Sequence, residues 1–458
     1  MKKNSLKVLL VNAISPHVEV ESRYPGLGLG YLAATARREL QDIAPEFAIV
    51  DRDVETFARD FQPNIVGISS VSQNFTIARS YADHFIRLGI PVIFGGFHVT
   101  ALPKTLPEGV AAACLGEGEY TFVELLRAFM ADGWNTKNLS NIHGIAFWNQ
   151  GILERTPDRE LITPLDRLPF PARDLLDIRP HSYLFTSRGC PFRCWFCASS
   201  RFWDKLRFFS AEYVAEEIEL LFRQYGVNVI SFFDDLFAAD RARVEELIRL
   251  LERRQLLGKI RFMCNCRASI VDEKLAELLA RLGIVSVGIG FESGCDETLR
   301  MLKGPRCSVA ENESAIKYLK AAGIAVNGSF IIGSPDETLD QMRQTYDFIR
   351  HSGVDLVDIY LLSPFPGTPT WDYAVQQGFV SDDMTDWSCL DVNSYRALEK
   401  SVILSRKLSR KSVLAVYERF RRLRLRHNIK KLWNHPMLGD VPTLILRSMR
   451  EKIRDLLG

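Results

Sequence analysis

Short apolar runs alternate along this chain with longer stretches of mixed apolar and polar residues, and the alternation restarts after a proline-rich interruption. In the first part the short runs predict strands at 7–11, 47–51, 65–69, 92–95 and 111–115, and the longer stretches predict helices at 29–40, 54–61, 77–88 and 120–130. Five strands joined by crossover helices predict a doubly wound, flavodoxin-like parallel sheet. Ligands of such sheets bind beyond the carboxyl ends of the strands. Those ends here carry Ser69 and Ser70, then Gly95, Gly96 and His98, then Gly116, Glu117, Gly118 and Glu119. Glycines at such places let a backbone approach a bulky partner closely.

Residues 134–182 read as a connector: two short segments, 145–148 and 152–155, flank Asn149-Gln150-Gly151 as a small hairpin. Prolines 164, 169, 171 and 180 then rule out regular helix. From residue 183 six strand–helix pairs follow, with strands at 183–188, 229–233, 261–267, 286–292, 325–332 and 355–362, and helices at 211–224, 242–253, 273–282, 313–321, 339–351 and 371–376. Six such units predict a partial (βα)6 TIM-like barrel, with its chemistry at the strand C-termini. Residues 380–458 read as a basic helical region whose Leu and Phe residues define no single face. The division expected is therefore 1–133, a linker at 134–182, a barrel at 183–379 and a helical tail at 380–458.

The chain of 458 residues, 47% apolar, is long enough for two or three cores. Its net charge of +2 hides an asymmetry: residues 396–458 hold 17 Lys and Arg against 5 Asp and Glu, so the tail carries +12 and the remainder −10. Such a tail is either a solvated helical surface or a contact for an anionic partner such as a membrane surface. The apolar run after the first lysines is too short for a signal segment, no stretch approaches a membrane span, and a cytoplasmic location is expected. No nucleic-acid partner is expected.

The most specific chemistry is Cys190-Pro-Phe-Arg-Cys194-Trp-Phe-Cys197, directly after the predicted strand 183–188 and Gly189. Cysteine thiolates are the soft ligands of iron–sulfur clusters, and three on one loop suit three irons of a cubane and leave the fourth open. A zinc site wants a fourth close Cys or His, and the nearest histidine, His181, precedes the strand. A disulfide framework suits small secreted chains, not nine cysteines scattered over 458 residues. Cys264 and Cys266 share one face of their strand, opposite in parity to Arg267, and read as core residues rather than ligands of a second cluster.

The cysteine spacing, with an aromatic just before the last cysteine, resembles the radical S-adenosylmethionine (SAM) superfamily. Residues 6–130, with Pro25-Gly-Leu-Gly-Leu-Gly-Tyr31 and the glycine-bearing strand ends, resemble the cobalamin-binding domain that precedes the barrel in one branch of it. The Asp-x-His-x-x-Gly motif that supplies a histidine to cobalt elsewhere is absent: Asp83-His84 has the wrong spacing and His98 follows a diglycine. The resemblance implies a 4Fe–4S cluster on Cys190, Cys194 and Cys197, SAM chelated to the open iron, and cobalamin without a histidine below cobalt, with Ser69, Ser70, Gly95, Gly96, His98 and Gly116–Glu119 around it. It further implies Asp234 and Asp235 for the methionine amine, Arg267 for its carboxylate, Glu292 for the ribose, and segments 331–335 and 363–368, with Gly333 and Pro364, for adenine. Simpler roles stand beside these, with Asp235 capping a helix and Arg267 pairing with Asp235 or Glu292.

The activity implied is reductive cleavage of SAM to a 5′-deoxyadenosyl radical, hydrogen abstraction from an unactivated carbon, and methyl transfer from methylcobalamin. Oxidative cyclisation or ring contraction uses the same parts without methyl transfer. A cobalamin-binding sensor or scaffold is the reading from a different class, and the complete cysteine loop argues against it. The partners implied are a small-molecule substrate and an electron donor such as flavodoxin or ferredoxin.

Overall fold

Val8, Leu9, Leu10 and Val11 of β1 (Lys7–Asn12) are all fully buried, as they must be in a central strand covered on both faces. The computed structural model describes residues 6–15, 25–391 and 398–432. The expectations for residues 16–24 and for the tail beyond 432 lie outside the described residues. Around β1 lie β2 (Glu46–Val50), β3 (Ile65–Ser69), β4 (Val92–Gly95) and β5 (Ala112–Cys114), parallel in the order β2-β1-β3-β4-β5. The helices Leu27–Glu39 and Glu119–Asp132 pack on one face of this sheet, and Phe75–Arg87 packs on the other.

The expected hairpin forms as β6 (Ile145–Asn149) and β7 (Ile152–Arg155), but it does not stand alone as part of a linker. Strand β6 pairs antiparallel with β5, so the first sheet has seven strands and runs on past residue 133. The segment after it crosses back along the helix Leu27–Glu39, with Ala172 N donating to Gly30 O at 3.0 Å.

The second sheet is a parallel, sequential array of β8 (His181–Leu184), β11 (Val229–Phe232), β12 (Arg261–Cys266), β13 (Ile284–Glu292), β14 (Ala325–Ile332) and β15 (Leu356–Leu361). Its helices enclose the largest core, in which Cys264 and Cys266 are buried. The first strand of the barrel departs from expectation. It ends at Leu184, and residues 187–188 turn off as β9 (Ser187–Arg188), pairing antiparallel with β10 (Arg207–Phe208). The cysteine loop is thus held between the two strands of a small ribbon.

At the other edge the helix Arg410–Leu432 lies along β15. An edge strand exposes unpaired backbone groups, and here side chains take them. Asn428 accepts from Val357 N at 2.9 Å and donates to Val357 O at 3.0 Å, and Tyr417 Oη donates to Ile359 O at 3.3 Å. Among the described residues no helix is long and apolar enough to cross a membrane.

Candidate functional site

Gly189 opens the cysteine loop with φ of +92°, and a Cβ there would stand 2.5 Å from Lys205 O, so only glycine lets the ribbon close. Backbone contacts fix the rest of the loop: Trp195 N donates to Leu302 O at 2.8 Å, and Thr370 Oγ1 donates to Trp195 O at 2.9 Å. Arg193 donates to Asp204 Oδ1 at 2.8 Å and so ties the loop to its own exit. Cys190, Cys194 and Cys197 are free and half-buried. Burial pushes the Cys190 thiol up to about 11 and raises the Cys197 thiol as well, with Asp235 and the neighbouring thiols adding to both. A metal has to displace those protons.

No three His, Cys, Asp or Glu side chains among the described residues close around one ion position. That is compatible with a cubane, whose three thiolates each meet a different iron. The donor set therefore fits the cluster that the spacing implied.

The two aspartates at the end of β11 have different surroundings. Asp234 is enclosed, accepting from Thr186 N at 2.6 Å, from Ser187 Oγ at 2.8 Å and from Thr186 Oγ1. Its carboxylate holds the segment that leads into the ribbon and does not reach the cavity described below. Asp235 lines that cavity, accepts from Ser199 Oγ at 2.6 Å, and acts electrostatically on Cys190 and Cys197. Burial raises its carboxyl, Ser199 lowers it, and Asp234 raises it.

Arg267 points at the cysteine loop rather than into open space, with Nη1 3.3 Å from Cys194 Sγ. Glu292 is buried beside Lys303 (3.7 Å) and holds φ of +63°, uncommon for a residue with a Cβ. Its carboxyl is raised by burial and lowered by Lys303 and Arg267. Gly333 N donates to Glu337 Oε2 at 2.7 Å, and Pro364 is buried. Glu292, Arg267, Gly333 and Pro364 are not in the lining of the cavity.

A cavity of about 470 Å³ lies between the carboxyl ends of the first sheet and the cysteine ribbon. From the first sheet it is lined by Ser69, Gly95, Gly96 and residues 116–119, and from the ribbon side by Arg188, Ser199, Trp203 and Asp235. Gly28, Gly95 and Gly116 have no heavy atom within 4 Å of where a Cβ would stand. At Gly28 and Gly95 a side chain would fill the cavity rather than strike the protein, so these two keep room for a bulky occupant, as cobalamin requires, whereas Gly116 is also demanded by its φ of +72°. At Gly96 the constraint is internal: φ is +98° and a Cβ would meet Ser70 O at 2.5 Å.

Two expected cofactor contacts stand apart from this cavity. Ser70 is buried outside its lining. His98 is a core residue, fully buried and stacked on Phe75 at 3.8 Å, with Nδ1 3.1 Å from Ser72 Oγ and Nε2 3.0 Å from Thr105 Oγ1. Both ring nitrogens are taken, and burial lowers its pKa to about 3. His98, expected around the cofactor, is instead a packed, neutral histidine outside the cavity lining.

Glu117 and Glu119 line the cavity, but their carboxylates face protein. Arg188 donates to Glu117 at 2.6 Å and to Glu119 at 2.5 Å, and Arg207 donates to Glu117 Oε2 at 2.8 Å. The sequence reading missed Arg188, Lys303 and Glu337, and the aromatic wall of Phe97, Phe202 and Trp203, in which Phe97 stacks on Phe202 at 4.2 Å. Arg188 sits two residues before Cys190, and that adjacency is the one signal that pointed to it.

Family models match in two places: the B12 binding domain over residues 17–126 and the radical SAM superfamily over residues 184–349. An uncharacterized methyltransferase of Pyrococcus horikoshii is 32% identical over 81% of this chain and 84% of its own. The cytidylyl-2-hydroxyethylphosphonate methyltransferase of Streptomyces wedmorensis is 27% identical over 82% of this chain and 83% of its own. The anaerobic magnesium-protoporphyrin IX monomethyl ester cyclase of Rubrivivax gelatinosus is 28% identical over 79% and 68%. Among solved structures, the radical SAM methyltransferase TsrM of Kitasatospora setae, with cobalamin and a [4Fe–4S] cluster bound, shares the fold at a TM-score of 0.67 and 22% identity, over 82% of this chain and 76% of its own.

Proposed function

Because the chain belongs to the cobalamin-binding radical S-adenosylmethionine enzymes, we propose that it methylates an unactivated carbon of a small molecule. The observation that carries this reading is the shared cavity: one space is lined both by the open glycines of the first sheet and by Asp235 and Ser199 beside the cysteine loop. When bound, the cluster with SAM supplies a carbon radical and cobalamin supplies a methyl group.

The chain's own residues bind, orient and enclose. Cys190, Cys194 and Cys197 hold the cluster. Asp235, free of the ties that hold Asp234, receives the methionine amine. Glu292, fixed by Lys303, takes the ribose, and the turns at Gly333 and Pro364 flank the adenine. Gly28 and Gly95 leave room for the corrin, while Phe97, Phe202 and Trp203 shield the space where a radical would otherwise meet water. The domain division we assign places cobalamin on residues 1–133 extended by the β6–β7 hairpin, and SAM on residues 183–379. A small flavodoxin or ferredoxin in the cytoplasm supplies the electron.

The test is anaerobic purification with cobalamin supplied during growth, followed by iron and cobalt analysis. Reaction with SAM, a reductant and extracts of the source cell then follows, read by mass spectrometry. About four irons and one cobalt, with a product heavier by one methylene unit, is the expected result. Iron without cobalt removes the methylation reading. A product lighter by two hydrogens replaces it with oxidative cyclisation.

A further inference from the structure

We propose that Arg267 is a positioning residue for the cluster, donating an N–H···S hydrogen bond to the Cys194 thiolate and raising the cluster's reduction potential. The proposal rests on the reading that Cys194 is a cluster ligand. Arg267 follows β12, in which Cys264 and Cys266 face the outer core, so its own parity turns it inward.

Four of the five guanidinium N–H groups have a protein partner. Nη1 is 3.3 Å from Cys194 Sγ, Nη2 is 3.1 Å from Lys303 O and 2.7 Å from Cys307 Sγ, and Nε is 3.1 Å from Ser269 Oγ. Its plane is fixed by Phe192, also on the cysteine loop, whose ring centre is 4.0 Å from Cζ. A carboxylate clamp needs two parallel N–H groups on one open edge. Here Nη1 and Nη2 are turned to sulfur and a carbonyl, so the methionine carboxylate finds no fork. The geometry favours sulfur over SAM as the partner.

A cluster gains negative charge on reduction, and that charge is spread onto its thiolates. A fixed cation donating to one of them stabilises the reduced state more than the oxidised one, and hydrogen bonds to sulfur are among the terms that set such potentials. Arginine suits this role because it stays protonated at any working pH.

The experiment compares the native protein, Arg267→Lys and Arg267→Met after anaerobic reconstitution. Iron content, the midpoint potential by EPR-monitored titration, and SAM affinity by equilibrium dialysis are measured separately. The expected result is near-native iron in R267M, a midpoint shifted to more negative potential, R267K in between, and SAM affinity changed by less than about twofold. An unchanged midpoint with SAM affinity reduced by about tenfold or more overturns the proposal and returns Arg267 to the carboxylate. If R267M keeps no iron, resonance Raman of the native protein and R267K in H2O and D2O decides. An Fe–S stretching shift on deuteration that shrinks in R267K supports the bond, and identical shifts overturn it. A native protein without iron overturns the cluster reading itself, and the proposal with it.

Discussion

The Arg188 guanidinium lies 2.6 Å from the Glu117 carboxylate, joining the segment that leads into the cysteine loop to the strand-end turn of the first sheet. The same guanidinium meets Glu119 and lies over the rings of Tyr31 (5.4 Å) and Trp203 (5.1 Å). Glu117 also accepts from Ile162 N at 2.7 Å, so the connector is drawn into the same knot. Burial opposes the Glu117 charge, yet Arg207 and Arg188 hold its carboxyl below its usual range. The two halves of the cavity wall are thus set relative to each other by ionic contacts that tolerate little loosening.

Removing Arg188 leaves Glu119 buried with no other partner among the described residues, whereas Glu117 keeps Arg207. We expect Arg188→Met to destabilise the protein by about 3–5 kcal/mol, the usual cost of orphaning one member of a buried pair. The double variant R188M/E119Q should recover a large part of that loss. Urea unfolding of the four members of the cycle measures it, and strict additivity would show that the contact carries no coupling.

These ionic contacts mark where the sequence stopped being informative. The strands at 65–69 and 92–95 were legible because a buried parallel strand is an unbroken apolar run, and the three cysteines because their spacing is local. Arg188 and Glu117 are 71 residues apart and leave no periodic trace. The ribbon β9–β10 has two residues per strand, too few to show alternation. The helix Arg410–Leu432 showed no clean apolar face because it docks partly through Asn428 and Tyr417 onto the edge of β15. The helix Asp296–Lys303, which carries Lys303 to Glu292, fell inside what reads as a loop.

Asp234 and Asp235 should separate on substitution. Asp234→Ala strips three donors on Thr186 and Ser187 of their acceptor in a buried site, and we expect about 2–4 kcal/mol of lost stability. Asp235→Asn leaves that network intact and should alter stability by less than about 1 kcal/mol while weakening SAM binding. Thermal unfolding and equilibrium dialysis on both variants test the distinction. Equal stability losses would mean that the pair acts as one structural unit.

Cys194→Ala should remove nearly all iron–sulfur absorbance while the first sheet stays folded, because apart from the Arg267 contact to its sulfur the loop is tied through Trp195, Arg193 and Gly189. Glu292→Ala should instead keep iron and lower SAM affinity. A full cluster in C194A would defeat the ligand assignment. Unchanged affinity in E292A would place the ribose elsewhere.

His98 gives the first sheet a pH dependence of definite sign. Folding lowers its pKa to about 3, so between there and the unfolded value near 6.5 the unfolded chain takes up a proton that the folded one refuses. Its contribution is fully present above about pH 6.5 and is lost as pH falls, at roughly 1.4 kcal/mol per unit. The difference in unfolding free energy between the native protein and His98→Gln should therefore shrink by about 2 kcal/mol from pH 6.5 to 5. A difference that stays flat would mean that His98 titrates normally in the fold.

Glu337 should act with the opposite sign. It is buried at the turn after β14, accepts from Gly333 N at 2.7 Å and Ser334 N at 3.2 Å, and keeps Oε1 without a partner. Burial raises its carboxyl from 4.5 to about 7 despite those two donors. A raised acid favours folding in its protonated form, so the contribution is fully present below about pH 4.5 and is lost as pH rises through about 7. Glu337→Gln keeps an oxygen for both N–H groups and cannot ionise. The variant should gain on the native protein by about 3 kcal/mol between pH 4.5 and 7, an order-of-magnitude figure from the size of the shift. Glu337→Ala, which removes the acceptor, should be less stable than the native protein at pH 4.5, where the folded carboxyl is neutral and the unfolded one about half ionised. Chemical unfolding of all three across that range checks both statements. A native-to-Gln difference independent of pH would show that the carboxyl ionises as freely in the fold as in the unfolded chain, and that the turn at Gly333 is not held by a neutral acid.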